Sequence, residues 1–394
     1  VTTVKTSTFT AVAGEGYFIN TTGGAVTVNL PAGTAGAVVA VKDYAGTFDT
    51  NKVTLVQNGS DKIGGSTVNA SLETEGLAVT LVFIDSTQGW LVTDSGLQDE
   101  APTAQYICAS SPCVATVGNF KIHTFTGPGT FTVNSAGNSG GSNTADYLVI
   151  AGGAGGGRCR SGGGGGGGYR ESSGTASGSY TVSPLGSGVA ALPLSVQSYP
   201  IVVGGGGAGS CTTSNRGTNG NISSFSSIQS AGGGGGDSDG AGPNGGSDGG
   251  NGGGGANSRP GGSGNTPPVS PIQGRPGGLS TGGGAGAGGG GAGANGGPMP
   301  CGVTGGAGGA GETSSINNTP TIRGGGGGGG SGTGTAGAAG AGGGGAGVQG
   351  YPATVAGIPG TINTGGGGGG VGEPGGTGGS GGSGIVIIRY KFQN

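Results

Sequence analysis

Apolar and polar residues alternate in short bursts along the first part of the chain. Ala25 to Leu30 reads AVTVNL, Val38 to Asp43 reads VVAVKD, Val53 to Gln57 reads VTLVQ and Leu77 to Ile84 reads LAVTLVFI, with Trp90 to Val92 closing the series. A period of two turns one face of each segment inward and the other outward, as in a half-buried strand. Turn-forming stretches such as PAGTAG and NGSDKIGG separate the bursts, and this rhythm predicts an all-β sandwich or barrel over residues 1–96. Trp90 is expected in its core. No segment carries a helical period, so essentially no α-helix is expected.

Residues 97–120 read as a linker. A second set of strands follows: KIHTFTGPGTFTVNSAG predicts a hairpin about Gly127 and Pro128, and ADYLVIAGG a strand that runs straight into glycine. At the other end of the chain, Gly384 to Phe392 (GIVIIRYKF) is strongly strand-like. These two strands are natural partners. Their pairing would make the glycine-rich stretch leave and return at one end, with a cap drawn from 121–151, 178–203 and 385–392. His123, the single histidine, alternates with Ile122 and Phe125 and reads as a strand-surface or partly buried residue. It has no nucleophile or orienting partner nearby that would make it a catalytic base.

Composition changes the picture at about residue 150. Of 113 glycines, 19 lie in residues 1–150 and 94 in residues 151–394. Glycine loses the most backbone entropy on ordering and offers no side chain to bury, so ordered glycine at this density needs a special reason. Collagen demands glycine at every third position, and AGAGGGGAGANGG breaks that register. A β-solenoid needs recurring apolar positions, and 324–347 supplies none. Polyproline II geometry remains, three residues per turn and about 3.1 Å of rise, with packed polyglycine II helices bonding one another because no Cβ keeps their backbones apart. Glycine runs at 152–157, 162–168, 204–209, 232–236, 249–255, 282–297, 302–311, 324–347 and 365–384 alternate with connectors at 169–203, 210–231, 256–281, 312–323 and 348–364. Rods joined by loops produce such an alternation. The predicted unit, 121–394, is therefore a polyglycine II array capped by β-strands, with outer rods tolerating Ala, Ser, Thr or Asn on the solvent side.

Charge and candidate chemistry narrow the function. A net charge of -3 with 8% charged residues leaves no clustered basic surface for nucleic acid. No apolar run approaches the length of a membrane-spanning helix, so no membrane insertion is expected. The chain opens VTTVKTSTFT, with neither an initiator Met nor a leader-like apolar run, so a processed start or a beginning inside a longer product is expected. Cys108 and Cys113 in CASSPC have the spacing of a short disulfide loop, whereas Cys159, Cys211 and Cys301 are isolated. One histidine and no CxxC argue against zinc, and the glycine runs lack the GK[ST] of a phosphate loop, so no metal and no cofactor is expected. Asp237, Asp239 and Asp248 read as turn residues, with a Ca²⁺ contact or a glycosidase carboxylate pair as the alternatives. Tyr169, Arg170, Arg216, Arg259, Arg275, Arg323 and Tyr351 are large side chains in or beside connectors, of the types that anchor binding surfaces. They are the candidate recognition residues, and no catalytic residue is assigned.

The order YFINTTGGAVTVNLP, VKDYAGTF, VTLVFIDSTQGWLV resembles a small β module of tail-fibre proteins from marine tailed bacteriophages, cyanophages among them. The words DYLVIAGGAGGG, YPIVVGGGGAG, SSFSSIQSAGGGGG and a closing SGIVIIRY are similar to glycine-rich domains at the ends of phage tail fibres and adhesins. The resemblance implies a non-enzymatic virion appendage, a homotrimer joined to other tail proteins, whose exposed loops bind a bacterial surface receptor, a glycan or an outer-membrane protein. A structural filament subunit without receptor specificity is the main alternative. If the first and last strands of the glycine-rich unit pair at one end, connectors 210–231, 256–281 and 312–323 are expected at the opposite, host-facing end.

Overall fold

The computed structural model describes residues 3–97, 104–178, 180–300, 302–351 and 355–393, so Cys301 lies outside the described residues. The chain divides into two units, Val1–Thr103 and Ala104–Asn394. Both are built from β-strands and turns, with essentially no helix.

The first unit packs two four-stranded sheets. One runs Phe9–Thr10, Val26–Asn29, Val53–Val56, Ala70–Leu72; the other runs Glu15–Ile19, Val38–Asp43, Ala78–Phe83, Trp90–Gly96. The predicted alternation is realised side by side: Val39, Val41, Val53, Leu55, Val79 and Leu81 all point into one core. Trp90 is fully buried there, edge-on to Phe83 at 5.6 Å between ring centroids. Buried Asp43 holds the following DYAGTF turn by accepting from the amides of Ala45, Gly46, Phe48 and Gly76.

The second unit begins with two facing sheets. The strand Thr144–Ile150 pairs antiparallel with Ile385–Lys391, Ile150 opposite Ile385 and Asp146 opposite Arg389. Phe120–Phe125 and Val114–Val117 extend this sheet on one side and Tyr169–Glu171 on the other. The facing sheet runs Ile228–Ser230, Ser223–Phe225, Ser198–Val202, Gly129–Ala136, Ile107–Ser110. Between the two lie Phe131, Tyr147, Tyr199, Phe225, Val386, Ile388 and Tyr390. Ile385 and Ile387 face the other way and meet Leu148, Ile150, Tyr169 and Ile316. The continuous apolar run IVII is thus explained by a sheet buried on both faces.

Four expectations are corrected here. The segment read as a linker contains the strands Ile107–Ser110 and Val114–Val117, which belong to the second unit. Gly127 and Pro128 turn a corner and do not close a hairpin, because Phe120–Phe125 and Gly129–Ala136 enter opposite sheets with Phe125 and Phe131 facing the same core. Of the stretch 178–203, only Leu192–Pro193 and Ser198–Val202 are strands, with a 3-10 turn at Pro184–Gly186. The same divergence separates the two cysteines of CASSPC. Cys108 points outward from the strand paired with Gly129–Ala136, Cys113 precedes a strand of the other sheet, and both are free and exposed.

His123 is fully buried, deeper than its alternation suggested, edge-on to Phe131 at 4.9 Å and stacked on Tyr390 at 5.4 Å. Its Nδ1 bonds Ser111 Oγ at 2.7 Å and its Nε2 bonds the Tyr390 hydroxyl at 3.1 Å. Burial, with the Lys121 charge adding to it, depresses its pKa to about 4.

Beyond the sheets, the chain runs back and forth as extended rods whose hydrogen bonds rotate through their neighbours with a period of three. In rod 162–168, the amides of residues 162, 165 and 168 donate to carbonyls of 237, 234 and 231; those of 163 and 166 to 287 and 290; those of 164 and 167 to 368 and 365. Its carbonyls accept from rods 151–157, 251–256 and 324–330, through the amides of Ala154, Gly254 and Gly327. Six neighbours surround one rod, three receiving and three giving. A Cβ on Gly163 would sit 2.1 Å from the Gly327 carbonyl oxygen and one on Gly164 2.2 Å from that of Ala154. At such positions glycine is required for steric reasons alone.

Candidate functional site

Each rod reverses either at the sheets or at the far end, so alternate connectors share an end. Rod 151–157 leaves the strand Thr144–Ile150, turns at 158–161 and returns as 162–168 to Tyr169–Glu171. By the same count, 210–216, 238–245, 256–259, 281–284, 331–335 and 371–376 are far-end turns. Cys159, Arg160, Asn257 and Ser258 adopt positive φ of 66°, 44°, 46° and 61°, a left-handed conformation that reverses the chain within a few residues. Non-glycine side chains accept it here because rods fixed on both sides dictate the turn.

Four arginines and three carboxylates tie these turns together. Asp237, at the end of a central rod, is fully buried and receives Arg259 Nε at 2.7 Å and Arg216 Nε at 3.7 Å, together with the amide of Ala256 at 3.2 Å. Arg259 also donates to the carbonyls of Gly242 (2.8 Å), Asp239 (2.9 Å) and Ser238. Arg160 pairs with Asp239 at 2.6 Å and with Glu373 at 3.1 Å. Arg158 reaches the carbonyls of Gly375 and Cys211, and Arg216 that of Gly245. Burial raises the pKa of Asp237 even with Arg259 beside it, and burial raises the neighbouring Cys159 thiol. Asp248, expected in a turn, lies instead in the extended run through Ser247 and Gly250, where it accepts the Ser263 amide.

The expected recognition residues separate into three sets. Tyr169 (1% exposed) and Arg323 (5% exposed) are interior, Tyr169 donating to Glu171 Oε2 at 3.2 Å, so neither presents its side chain to a partner. Arg170, opposite Val149 in the sheet, and Arg275, whose amide donates to Asn251 Oδ1, sit at the sheet end. Arg216 and Arg259 are at the far end but are engaged with Asp237. Tyr351 is at the far end and 62% exposed. Connector 312–323 also lies at the sheet end, not opposite it: Ser315 donates to the Thr181 carbonyl and Ile316 packs on Leu148. Arg158, Arg160 and Glu373 were not among the expected residues. The signal that would have found them is the parity of the glycine runs, since charges in alternate breaks meet at one end.

What remains exposed at the far end is mostly neutral and polar: Thr212, Thr213, Ser214 and Asn215, then Asn244, Asn257 and Thr335, with the Tyr351 ring. Among the described residues, no group of three or more His, Cys, Asp or Glu is placed to hold a metal ion. No helix is long and apolar enough to cross a membrane among those residues.

The family described as glycine-rich domain matches residues 124–391, all of the rods and most of the strands that cap them. The chain belongs to the glycine-rich domain family. Ahead of this glycine-rich domain, residues 1–98 match the N-terminal domain of Bacteriophage T4 gp9/10-like proteins. Baseplate wedge protein gp10 of Enterobacteria phage T4 is 39% identical over 79 residues, which are 19% of this chain and 13% of that protein. The matched stretch thus spans about an eighth of that relative's length. These matches make the chain phage tail- or baseplate-like, with a glycine-rich domain behind a baseplate-type N-terminal domain.

Proposed function

We propose that the chain is a virion appendage protein of a tailed phage, of the tail-fibre kind found in marine phages, with no enzymatic role. Residues 1–96 assemble with other tail proteins as a homotrimer. The glycine-rich unit is an array of polyglycine II helices, a reading supported by the three-residue hydrogen-bond period. Its far-end loops bind a bacterial cell-surface receptor, a glycan or an outer-membrane protein.

The observation that carries this reading is the gathering of the far-end turns into one surface, pinned from beneath by Arg158, Arg160, Arg216 and Arg259 and lined above by exposed Thr, Ser, Asn and Tyr351. Rigid support under exposed polar loops is the arrangement that recognition surfaces need. Exchanging residues 212–215 and replacing Tyr351 should change adsorption to host cells while the melting temperature holds. Unchanged adsorption would leave the structural-filament reading. That second reading is favoured by one fact: the far-end arginines are spent on internal contacts.

A further inference from the structure

Asparagine is followed by glycine five times, at Asn58, Asn219, Asn244, Asn251 and Asn295. Such a pair can react with itself, because glycine has no side chain to keep its backbone nitrogen away from the asparagine carboxamide. The reaction needs a free glycine amide and a carboxamide free to turn toward it. Rods close three of the pairs. Gly220, Gly252 and Gly296 donate their amides to the carbonyls of Gly233 (3.0 Å), Arg275 (2.9 Å) and Pro276 (3.0 Å). Two of the carboxamides are held as well: that of Asn219 accepts the Gly235 amide at 2.9 Å, and that of buried Asn251 donates to the carbonyls of Gly166 and Gly167.

The other two pairs lie in turns and are open. Asn58 and Asn244 are exposed, and among the described residues neither their carboxamides nor the amides of Gly59 and Gly245 have a hydrogen-bond partner. Gly59 is open to solvent, and Gly245, though buried, is bonded through its carbonyl alone. Asn244 stands in the far-end turn 238–245 between two carbonyls held by guanidinium groups, Gly242 by Arg259 at 2.8 Å and Gly245 by Arg216. Positive charge on both sides favours the negative charge that develops on the Gly245 nitrogen as it loses its proton.

We propose that Asn58 and Asn244 are sites of spontaneous conversion to aspartate and isoaspartate, and that the rods shield the other three pairs. The glycine nitrogen loses its proton to hydroxide and bonds the asparagine Cγ. The bond from Cγ to the side-chain nitrogen breaks, and ammonia leaves with a proton from water, which restores the hydroxide and closes a cyclic succinimide. Water then adds to either carbonyl of the ring. Breaking the new bond to Cγ leaves aspartate; breaking the original peptide bond leaves isoaspartate, in which the main chain runs through the side chain. Each event takes up one water and releases one ammonia.

The consequence at Asn244 rests on the receptor-binding reading above, under which this site alters the recognition surface as a particle ages. A carboxylate at 244 would stand beside the Gly245 carbonyl that Arg216 holds, and would compete for that guanidinium with Asp237, 3.7 Å from it. A neutral loop becomes acidic, and its tie to the buried rod end weakens.

The test is peptide mapping by mass spectrometry of the full chain after timed incubation in mildly alkaline buffer, folded and, separately, unfolded in guanidinium. We expect Asn58 and Asn244 to convert at least about tenfold faster than Asn219, Asn251 and Asn295 in the folded chain, the factor that one amide hydrogen bond supplies. In the unfolded chain all five should convert at similar rates. A closed pair that keeps pace with the open ones, or no lead at Asn244, overturns the proposal. So does a lead of the same size in the unfolded chain, since neighbours in sequence and not the fold would then set it. Adsorption to cells plays no part in this readout, so its failure and that of the receptor-binding reading are told apart.

Discussion

Asn251 donates from its side-chain amide to the carbonyls of Gly166 (3.0 Å) and Gly167 (2.8 Å) while its Oδ1 accepts the amide of Arg275 at 2.8 Å. A fully buried side chain thus makes bonds of the kind that rod backbones make around it. Asn251→Asp keeps the shape but removes both donors and buries a charge. It should lower stability by about 3 kcal/mol, read as melting temperature, with Asn251→Ala milder because it leaves no charge.

Glycine is required by position, not by density. Gly163→Ala places a methyl 2.1 Å from a backbone oxygen that rods on every side hold still, and should prevent folding as judged by circular dichroism and solubility. Gly205→Ala meets nothing nearer than 3.7 Å and should shift stability by less than about 0.5 kcal/mol. Equal effects at the two sites would contradict the packing described.

The far-end arginines hold loops and should behave accordingly. Arg259→Ala strands the buried Asp237 with only the more distant Arg216, and should cost about 3 kcal/mol. Arg259→Ala combined with Asp237→Asn should recover part of that loss in a double-mutant cycle, since the uncompensated charge is gone.

His123 sets a pH dependence. Its folded pKa of about 4 lies below the ordinary value of 6.5, so the unfolded chain binds the extra proton between these limits. Its contribution is therefore complete above about pH 6.5 and is lost as pH falls toward 4, by about 3 kcal/mol at most. His123→Phe should flatten the melting-temperature profile between pH 7 and pH 5 relative to the unmodified chain.

Strand positions in the first unit were legible because Val39, Val41, Leu55 and Leu81 repeat at period two over a single core. Rods were legible only where glycine is continuous. Rod 217–222 reads GTNGNI and rod 357–361 reads GIPGT, since an outer rod needs glycine only at the third that faces inward, Gly217 and Gly220 or Gly357 and Gly360. Composition therefore placed 217–222 inside a connector. Its error carried forward to the site, because one missed rod inverts which end the next connector occupies. Arg323 and Tyr169 looked like surface anchors for a related reason: glycine neighbours hid that the flanking segments are strands on a core with Ile316 and Ile385.

The rod array hides amides where an ordinary domain hides hydrocarbon, and this bears on temperature. Exposing polar surface lowers the heat capacity of unfolding, and exposing apolar surface raises it. The second unit sets its apolar clusters in and against the sheets, while rods such as 162–168 bury little but peptide groups. Its heat-capacity change per residue is consequently small, and its stability curve is broad and shallow. Warming and chilling then move such a body far less than they move a domain held by a greasy interior.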